Sequence, residues 1–544
     1  MPFPDYEPTV PVFVRGLARR HGARELIVQD DRRLGFAEAE ARSARLAREL
    51  LARGVAKGAR VAILFPNGPE WVVAWLAATR IGAVAVPINT FYKSRELEWT
   101  LRHSDADTLL AAASFLSHDY LTRLEEAAPT LARASGPGIF LPELPFLRRI
   151  VVAGPCDRPW ALGFEDLEAS AGEAAGVGPA FLREVEASVR PADEMVMLYS
   201  SGSTADPKAA VHTHASVLQH SFNLCAHRDV KESDRVWSPM PFFWVGGFVF
   251  AFVGNLQAGA TTLCEEVFDP GRTLAFLERE RATIAVGWPH FGKALAEHPD
   301  ATTRDLSALR AGNIPEILPE DVVPPDPARR GNALGMTETC GPHTWSEGVL
   351  PESEAGSFGR AVPGVEHKIV DPETGAALAP GELGEICVRG YNLMQRLYKT
   401  PREETFDADG FYHTGDAGFF DARGLLYFKG RLGDMIKSAG ANITPSEIEA
   451  VLLSYAEVKA AFVVGVADPD RGQNVAAAIV ADDGEPLSAD ELKQRVKGDL
   501  SAYKVPKHVW IFPDGTLPFT DSGKIDKRRL SALLEARIAE GDAG

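Results

Sequence analysis

The chain has 544 residues, of which 57 are basic and 75 acidic, so its formal net charge is −18 at neutral pH. Single domains run to roughly 100–200 residues, so the length predicts three or four compact units. The acidic balance argues against a general nucleic-acid-binding or anionic-membrane-binding protein. Hydrophobic residues make up 45% and charged residues 24%, a mix typical of soluble globular proteins.

The cysteines and the apolar stretches indicate the compartment in which the protein is expected. Five cysteines, at 156, 225, 264, 340 and 387, form no Cys-x-x-Cys pair, so a disulfide scaffold or a zinc cage is disfavoured and a reducing cytoplasm is expected. The N-terminal segment, Met1 to Arg19, lacks the apolar core of a signal peptide. Phe242 to Gly254, the most apolar stretch, is shorter than the roughly 18–20 residues of a membrane helix, so we interpret it as a buried segment or a pocket wall.

The first 110 residues alternate strand and helix signals. An apolar run over Val61 to Phe65 predicts a strand, which Pro66-Asn67-Gly68 ends. The pattern then predicts a helix over Trp71 to Ile81 and a second strand over Val84 to Pro87. A strand, helix, strand order indicates a right-handed crossover in a parallel sheet.

The middle of the chain has weaker periodicity. Residues 111–190 are rich in Ala, Gly and Pro, and we interpret them as irregular connections with short helices. Strand signals return at Met195 to Tyr199, and again at Ile386 to Arg389 and Leu425 to Phe428 in a section richer in strands.

The pattern changes after residue 431. A helix is predicted over Ser446 to Leu453, strands over Val458 to Val466 and Val475 to Ala481, and a helix over Leu487 to Leu500. These elements predict a small α+β unit at the C-terminal end.

The first motif that indicates chemistry is a hydroxyl-rich loop after a predicted strand. Small residues let backbone N–H groups approach an anion, and hydroxyls and a lysine add donors, so this composition predicts a polyphosphate cradle. Its spacing differs from that of the G-x-x-x-x-G-K-[ST] loop. A serine-rich turn between a strand and a helix is the structural alternative. The residues concerned are Ser200, Ser201, Gly202, Ser203, Thr204 and Lys208.

Two carboxylates follow in short motifs that are weak when taken alone. Glu338, in the segment 333–339, offers a hard oxygen ligand for Mg²⁺, although a Thr-Glu pair also caps helices. Asp416, in the segment 411–416, could accept hydrogen bonds from two vicinal hydroxyls such as those of a ribose, although a turn aspartate is the simpler interpretation.

Two basic motifs lie near and beyond the predicted domain boundary. Arg431 carries a guanidinium suited to binding phosphate, and Gly433, two residues later, is a hinge candidate. Lys524 lies in a Ser-Gly-Lys turn, within a basic segment (501–529) of an otherwise acidic chain.

Together and in this order, these five motifs resemble the adenylate-forming enzymes, which include acyl-CoA synthetases, peptide-synthetase adenylation domains and beetle luciferases. The resemblance extends from about residue 30 to about residue 530. It implies an α/β fold with a large N-terminal region of two stacked α/β subdomains plus a β-rich subdomain (1–431), followed by a small mobile α+β C-terminal domain (432–544). It also implies two half-reactions: an acid and ATP give acyl-AMP and pyrophosphate, and a thiol then takes the acyl group and releases AMP.

The resemblance implies roles for the residues in the five motifs. The segment from Ser200 to Lys208 would hold the β- and γ-phosphates, Thr204 and Glu338 would lie near Mg²⁺, and Thr337 would meet the α-phosphate. Asp416 would bind the ribose, with Arg431 close by, and Lys524 would reach in from the C-terminal domain during adenylation. The remaining nucleotide-binding positions are Gly312, Asn313, Ile314, Leu334, Gly335 and Met336.

The same resemblance implies an acid pocket and a thiol channel. No carboxylate occurs in the pocket segment that would pair the ammonium of an amino acid, so the acid is expected to be hydrophobic: fatty, branched or ring-bearing. Core packing is the alternative for this aromatic run. Gly433 would be the hinge, and Lys437, Ala439 and Gly440 would face the pantetheine of CoA. The pocket residues are Phe242, Phe243, Trp244, Gly246, Gly247, Phe248 and Trp288.

The chain departs from the family pattern at four positions. Ala205 and Ala209 stand where the family usually has glycine, and a positive φ at either would cost about 1 kcal/mol. Leu334 replaces an aromatic residue that stacks on adenine, and Gly433 replaces the Asp or Lys that is common at the hinge.

The expected function is therefore an ATP-dependent ligase of fatty acid and lipid metabolism that joins a hydrophobic carboxylic acid to CoA, with ATP and CoA as substrates and Mg²⁺ as the metal. A ligase that loads acyl-AMP onto a separate carrier protein, a luciferase-like oxygenase and a nucleotide-binding pseudoenzyme remain alternatives. The expected partners are small molecules, without nucleic acid or a transmembrane segment, and a homodimer is compatible with the family.

Overall fold

A computed structural model describes most of the chain. The described residues are 3–170, 172–200, 207–319, 323, 326, 329–346, 348–432, 436–443, 445–481, 487–519 and 525–541.

The strands make six sheets within the described residues. In chain order they are β1 (Glu25–Gln29), β2 (Arg32–Gly35), β3 (Arg60–Leu64), β4 (Val84–Pro87), β5 (Thr108–Ala112), β6 (Ser114–Phe115), β7 (His118–Asp119), β8 (Arg149–Ala153), β9 (Ala161–Gly163), β10 (Glu194–Ser200), β11 (Lys208–Thr213), β12 (Arg235–Trp237), β13 (Thr261–Cys264), β14 (Ile284–Ala285), β15 (Ala311–Gly312), β16 (Ala333–Met336), β17 (Gly341–Trp345), β18 (Arg360–Ala361), β19 (Val365–Val370), β20 (Gly384–Gly390), β21 (Arg396–Leu397), β22 (Tyr412–Phe420), β23 (Leu426–Arg431), β24 (Ile436–Ser438), β25 (Ala441–Ile443), β26 (Val458–Asp468), β27 (Gly472–Ala481) and β28 (His508–Phe512).

The α-helices alternate with these strands. In chain order they are α1 (Val10–His21), α2 (Phe36–Ala52), α3 (Pro69–Arg80), α4 (Ser94–His103), α5 (Tyr120–Ala127), α6 (Phe164–Ser170), α7 (Pro179–Ala187), α8 (His214–His227), α9 (Gly254–Ala258), α10 (Pro270–Arg279), α11 (Pro289–Ala296), α12 (Arg402–Thr405), α13 (Pro445–Leu453), α14 (Ala489–Asp499) and α15 (Lys527–Ala539). A π-helix covers Gly246–Val253 and leads directly into α9.

The largest sheet has eight strands in the order β21-β11-β10-β4-β3-β5-β8-β9. Strands β3, β4, β5, β8, β9 and β10 run parallel, whereas β11 and β21 pair antiparallel at one edge. The predicted crossover from β3 through α3 to β4 is confirmed.

The prediction for residues 111–190 was wrong in one respect. Arg149–Ala153 is a central strand that pairs in parallel with β5, and Ala161–Gly163 extends the sheet beyond it. The five-residue run is too short for a periodicity signal, and its neighbourhood is rich in Gly and Pro. Burial between two neighbouring strands, rather than a local pattern, stabilises it as a strand.

A second sheet has six strands in the order β15-β14-β12-β13-β1-β2, parallel except for β2. One hydrophobic core joins it to the eight-stranded sheet. That core contains Ile27 of β1, Val61 of β3 and Trp71 of α3, together with Phe248 of the π-helix. The two sheets are therefore stacked with helices between them, as the family resemblance implied.

The β-rich part follows. A three-stranded sheet (β16-β17-β18) lies beside a four-stranded antiparallel sheet (β19-β20-β22-β23). The two share an apolar cluster that includes Leu334, Ile386, Val388 and Leu426.

The C-terminal part has its own five-stranded sheet, made of β24 to β28. Side chains alternate along β26: Ala461 and Val463 pack with α13 and α14 on one face, and Val464 and Val466 pack with α15 on the other. The predicted helix and strands of this unit are confirmed.

Within the described part of the chain, no helix has the length and apolarity that crossing a bilayer requires. The five cysteines are all free thiols.

Candidate functional site

The site begins at the carboxyl end of the six-stranded sheet. Strands β12, β14 and β15 are parallel neighbours, and the chain leaves all three of them at this edge of the sheet. The segments at these strand ends contain the predicted pocket residues and Gly312 to Ile314. Ligands of open α/β sheets bind at the carboxyl ends of the strands, so this edge is the expected place for a site.

Asn67 ties this edge to the eight-stranded sheet. It follows β3 at the carboxyl end, its Nδ2 donates to the carbonyl of Met240 at 2.8 Å, and its Oδ1 accepts from the backbone N–H of Phe242 at 2.8 Å. The sequence prediction identified Asn67 only as part of the residues that end the strand. Its position after a buried parallel strand was the available signal.

The Gly312 to Ile314 segment is held close to β14. A Cβ on Gly312 would lie 2.0 Å from the carbonyl oxygen of Ala285, so only glycine fits. Asn313 is exposed, and its Oδ1 accepts from the N–H of Gly287 at 2.8 Å. Ile314 differs from the prediction, because its side chain is fully buried in the core and leaves only its backbone near the cleft.

The hydroxyl-rich loop connects two paired strands. Ser200 ends β10 and pairs with Lys208, which begins β11. The element after the loop is therefore a strand, not the helix of the structural alternative. Ala209 continues this strand with an ordinary backbone conformation, so alanine costs nothing there. Ser201, Gly202, Ser203, Thr204 and Ala205 lie outside the described residues.

Ser200 and Glu338 are in direct contact. The Oγ of Ser200 donates to Oε1 of Glu338 at 3.0 Å, and the carboxylate is buried, with 6% of the residue exposed. The backbone N–H of Met394 donates to the carbonyl of Glu338 at 2.8 Å and fixes that position. Two motifs that are 138 residues apart in sequence therefore share one surface.

Thr337 is positioned by a buried histidine that the sequence prediction missed. The Nε2 of His212 donates to the carbonyl oxygen of Thr337 at 2.8 Å. Burial lowers the pKa of His212 to about 4, so the ring is neutral near pH 7. The threonine hydroxyl thus lies on a segment fixed through its backbone.

Leu334 points into the core. It is 7% exposed and packs with Ile386 and Val388 of the neighbouring sheet, whereas Gly335 and Met336 are more exposed. A Cβ on Gly335 would lie 2.5 Å from the backbone of Gly341, so the hairpin itself requires glycine. The Leu334 side chain therefore contributes to the core between the two β-rich sheets.

Asp416 lies on β22 and is buried, with 5% of the residue exposed. Its backbone pairs with Arg431, whose side chain is outside the described residues. Glu385 orders the turn before it: one carboxylate oxygen accepts from the N–H of Gly415 at 2.9 Å, and the other pairs with His413 at 2.8 Å. Glu385 was not predicted.

The predicted acid-pocket residues divide into two groups. Phe242 and Phe248 are 1% and 0% exposed and pack at steep angles against the ring of Trp71 in the shared core, so they support the wall and do not line a cleft. Trp244 and Trp288 are partly exposed, and their rings meet edge to face at 5.5 Å.

Three further predicted pocket residues surround this pair. Phe243 is 4% exposed and its ring lies 6.1 Å from that of Phe91. A Cβ on Gly247 would lie 2.1 Å from the carbonyl oxygen of Pro241, whereas Gly246 is partly exposed, with Met240 its sole neighbour among described atoms. Gly246 is thus the glycine that leaves space.

The predicted thiol-channel residues form a tight turn in the C-terminal part. Ala439 and Gly440 have φ of 48° and 80° and connect β24 to β25. A Cβ on Gly440 would lie 2.5 Å from the ring of Trp288, so this turn rests directly on the predicted acid pocket. Lys437 places its Nζ 4.7 Å from the Phe428 ring centroid. Gly433 and Lys524 lie outside the described residues.

Two family models match the chain. The model of AMP-binding enzymes matches residues 14–398, and that of the AMP-binding enzyme C-terminal domain matches residues 447–524. A putative acyl-CoA synthetase of Bacillus subtilis, YngI, is 33% identical over 93% of each chain. The mitochondrial medium-chain acyl-CoA ligase ACSF2 of Mus musculus is 31% identical over 96% of this chain and 86% of its own length.

Solved structures with the same fold include two with different ligands bound. A double mutant of o-succinylbenzoate CoA synthetase from Bacillus subtilis, bound with the product analogue OSB-NCoA, is 26% identical with a TM-score of 0.76, over 96% of this chain and 98% of its own. ATP-bound MatB from Rhodopseudomonas palustris is also 26% identical, but its TM-score is 0.64, over 97% of this chain and 99% of its own.

Proposed function

The chain belongs to the AMP-binding enzyme family, and from that membership we propose which of its residues carry the reaction and which acid it activates. It is an ATP-dependent acid–thiol ligase that forms acyl-AMP and pyrophosphate and then transfers the acyl group to CoA with release of AMP. The roles that follow rest on that membership and, for Ser200, Thr337, Glu338 and Asp416, on the contacts described above.

In the first half-reaction, a carboxylate oxygen of the acid attacks the α-phosphorus of ATP and pyrophosphate leaves. Repulsion between the carboxylate and the triphosphate opposes this step, so the site must supply donors and positive charge. The hydroxyl-rich loop and Lys208 hold the β- and γ-phosphates, Thr337 meets the α-phosphate, and Asp416 accepts from the ribose hydroxyls. Arg431 and Lys524 supply the remaining charge.

The residues around Glu338 fit a magnesium ion. A buried carboxylate beside a serine hydroxyl is a hard-oxygen donor set of the kind that Mg²⁺ prefers when it also binds substrate phosphates. Glu338 would hold the ion together with Thr204. Bound Mg²⁺ would supply charge neutralisation along the phosphate chain.

The acid is hydrophobic, and the observation that carries this proposal is the Trp244–Trp288 pair. Its two partly exposed indoles form an apolar wall, and the segment from Pro241 to Phe248 contains no charged residue. A substrate ammonium or a second carboxylate would be desolvated there without a partner, at a cost of several kcal/mol. A medium-chain or ring-bearing carboxylic acid fits the wall.

In the second half-reaction, the CoA sulfur attacks the acyl carbonyl and AMP leaves with the bonding pair. The turn at Ala439–Gly440 lies against Trp288, which places it where the thiol must arrive. We assign this arrangement to the thioester-forming pose of a mobile C-terminal domain, residues 432–544, that rotates about Gly433. In the adenylation pose, Lys524 would take the place of this turn.

A carboxylic-acid panel tests the substrate class. Pyrophosphate release and thioester formation are measured with medium-chain fatty acids, aryl acids, amino acids and malonate, each with and without CoA. Hydrophobic acids should give the highest kcat/KM, with thioester formed only when CoA is present. An amino acid or a dicarboxylic acid as the best substrate would refute the assignment of the pocket.

A further inference from the structure

A buried ion-pair cluster joins the C-terminal part to the N-terminal region. Lys504, which is 3% exposed, places its Nζ 2.9 Å from Oε1 of Glu96 on α4 and 2.7 Å from Oε1 of Glu447 on α13. Glu96 and Glu447 are themselves 9% and 8% exposed. One ammonium therefore bridges two carboxylates from opposite sides of the interface.

The segment around Lys504 makes further contacts across the same interface. Ser501 donates from Oγ to Oε2 of Glu96 at 2.9 Å. The hydroxyl of Tyr503 accepts from Nδ2 of Asn89 at 3.2 Å, and its ring meets Trp244 of the acid pocket at 6.1 Å. We call the contact of Lys504 with Glu96 the anchor. Its surroundings reach the carboxyl end of β4 on one side and the acid pocket on the other.

Lys504 is charged in this pose. Burial by itself lowers the pKa of a lysine, but Tyr503, Glu96 and Glu447 together hold the pKa of Lys504 well above its usual range. The cluster carries two carboxylates and one ammonium, so removal of the ammonium would leave two buried negative charges beside each other.

Lys504 has one carboxylate partner on each side of the interface, which allows its contact with Glu96 to open and close. Glu447 belongs to the C-terminal part, so Lys504 keeps a counter-ion when the two parts separate. Glu96 keeps the backbone N–H of Lys93, which donates to its Oε2 at 3.0 Å. Separation therefore leaves neither buried group without a polar partner, and the pair can form and break within a catalytic cycle.

The pose in which the anchor is closed is the one with Gly440 on Trp288. Phe519 meets the ring of Phe462 edge to face, and Ile525 packs against the apolar cluster on the α15 face of the C-terminal sheet. The opposite face of that sheet is the one that packs against Trp244.

We propose that Lys504, through its ion pair with Glu96, is a positioning residue that holds the C-terminal domain in the thioester-forming pose. Its ammonium contacts the carboxylates of Glu96 and Glu447, and we assign it no direct part in either half-reaction. This inference rests on the proposed two-pose cycle and adds to it the side chains that select one pose. A weaker anchor lowers the population of the pose that binds CoA, and the apparent KM for CoA rises in inverse proportion to that population.

The test separates the two half-reactions in the full-length enzyme. Acid-dependent ATP–pyrophosphate exchange reports the first, and thioester formation from supplied acyl-AMP and CoA reports the second. Glu96→Gln removes the charge across the interface, keeps an acceptor for the N–H of Lys93 and leaves the Lys504–Glu447 pair intact. It should raise the KM for CoA by about tenfold, with kcat at saturating CoA and the exchange rate within about twofold of wild type.

Lys504→Met removes its pairs with both Glu96 and Glu447 and should show the same pattern more strongly. The double variant should be no worse than Lys504→Met, since the Lys504–Glu96 pair is already lost in that variant. Lys507→Ala is the matched control, because its side chain is 56% exposed in the same segment and pairs weakly with Asp468. It should leave both half-reactions unchanged.

Two outcomes overturn the inference. If Glu96→Gln and Lys504→Met both had the same KM for CoA as Lys507→Ala, the anchor would not select the pose. Equal loss of both half-reactions in these two variants would mean that the Lys504–Glu96 pair has a structural role only. Lys524→Ala distinguishes a failed anchor from a failed cycle: if the two-pose cycle holds, this variant loses the first half-reaction and largely keeps the second, whatever Lys504 does.

Discussion

Ser200 donates its hydroxyl hydrogen to the buried carboxylate of Glu338 across 3.0 Å, so the end of the hydroxyl-rich loop and the proposed metal ligand lie in one place. Glu338→Gln keeps the shape and the acceptor for Ser200 but removes the charge. We expect acid-dependent ATP–pyrophosphate exchange to fall by about 100-fold or more, because charge neutralisation along the phosphates is lost.

The dependence of that exchange on Mg²⁺ concentration is the measurement that assigns the role. Half-saturation should move to higher Mg²⁺ in Glu338→Gln and stay in place in Glu366→Gln, whose carboxylate is exposed and pairs with Arg389. An unchanged Mg²⁺ requirement in Glu338→Gln would remove Glu338 from the metal site.

Asp416→Ala should weaken the binding of ATP. Hydrogen bonds to a charged acceptor contribute about 1.5–3 kcal/mol each, so the loss of even one should raise the KM for ATP by about 10- to 100-fold. The comparison of ATP with 2′-deoxy-ATP and 3′-deoxy-ATP is decisive. Wild-type enzyme should discriminate against the analogues, and Asp416→Ala should treat all three nucleotides alike. Discrimination that persists in the variant would contradict ribose binding by this carboxylate.

Gly440→Ala should slow thioester formation by at least about tenfold and spare adenylation. The φ of 80° disfavours alanine by about 1 kcal/mol, and the new Cβ would meet the Trp288 ring at 2.5 Å. Gly472→Ala is the matched control, since its φ is 78° but its Cβ would meet only the Lys437 carbonyl, at 3.4 Å. Single-turnover rates from acyl-AMP should separate the two, and equal effects would indicate strain alone.

Trp244→Ala should change which acids are accepted. Removing an indole from the partly exposed wall makes room, so kcat/KM should shift toward bulkier or longer acids, by about tenfold relative to the preferred acid of the wild type. Phe248→Leu serves as the control, because this ring is fully buried in the core and its loss should lower the melting temperature without altering the acid profile. An unchanged profile in Trp244→Ala would assign Trp244 to packing.

Buried neutral histidines should make stability fall on acidification. Burial lowers the pKa of His214 to about 3 from an ordinary value of 6.5. The unfolded chain therefore binds a proton first, so the stabilisation is full above pH 6.5 and is lost as the pH falls from 6.5 toward 3. Each such group contributes about 1.4 kcal/mol per pH unit in that window.

His214→Gln isolates this contribution. The free energy of unfolding is measured by urea denaturation at several values between pH 7.5 and pH 5, where the slope of the variant should be shallower by about one proton. Parallel slopes for the two proteins would mean that His214 does not titrate between the folded and unfolded states. The backbone N–H of Val10, which donates to Nδ1 at 3.2 Å, should still find an acceptor in glutamine.

Local patterns were sufficient for some elements of the fold and insufficient for others. The helix after Gly68 and strand β4 are mostly apolar runs bounded by glycine or proline, and they were predicted to within two residues. The aromatic run from Phe242 to Phe252 could not be divided into core and wall, because a π-helix departs from the 3.6-residue period on which such a division depends.

The functional contacts that the sequence analysis missed are long-range. Glu96 and Lys504 are 408 residues apart, and neither lies in a motif with a chemical signature. His212 lies on β11, four residues after the predicted phosphate loop, but its contact with the Thr337 carbonyl depends on how β11 meets the distant segment after β16. Such pairs are set by tertiary packing, and a single sequence holds no local record of them.

Asn67 has a consequence for how this enzyme could acquire new substrates. One amide spans the gap between the two stacked sheets through a donor and an acceptor, both at 2.8 Å, and so sets the width of the cleft. The halves cannot spread to admit a larger acid without breaking both bonds. Variation in substrate size must therefore come from trimming or adding atoms at the indole wall, while the separation between nucleotide and acid stays constant.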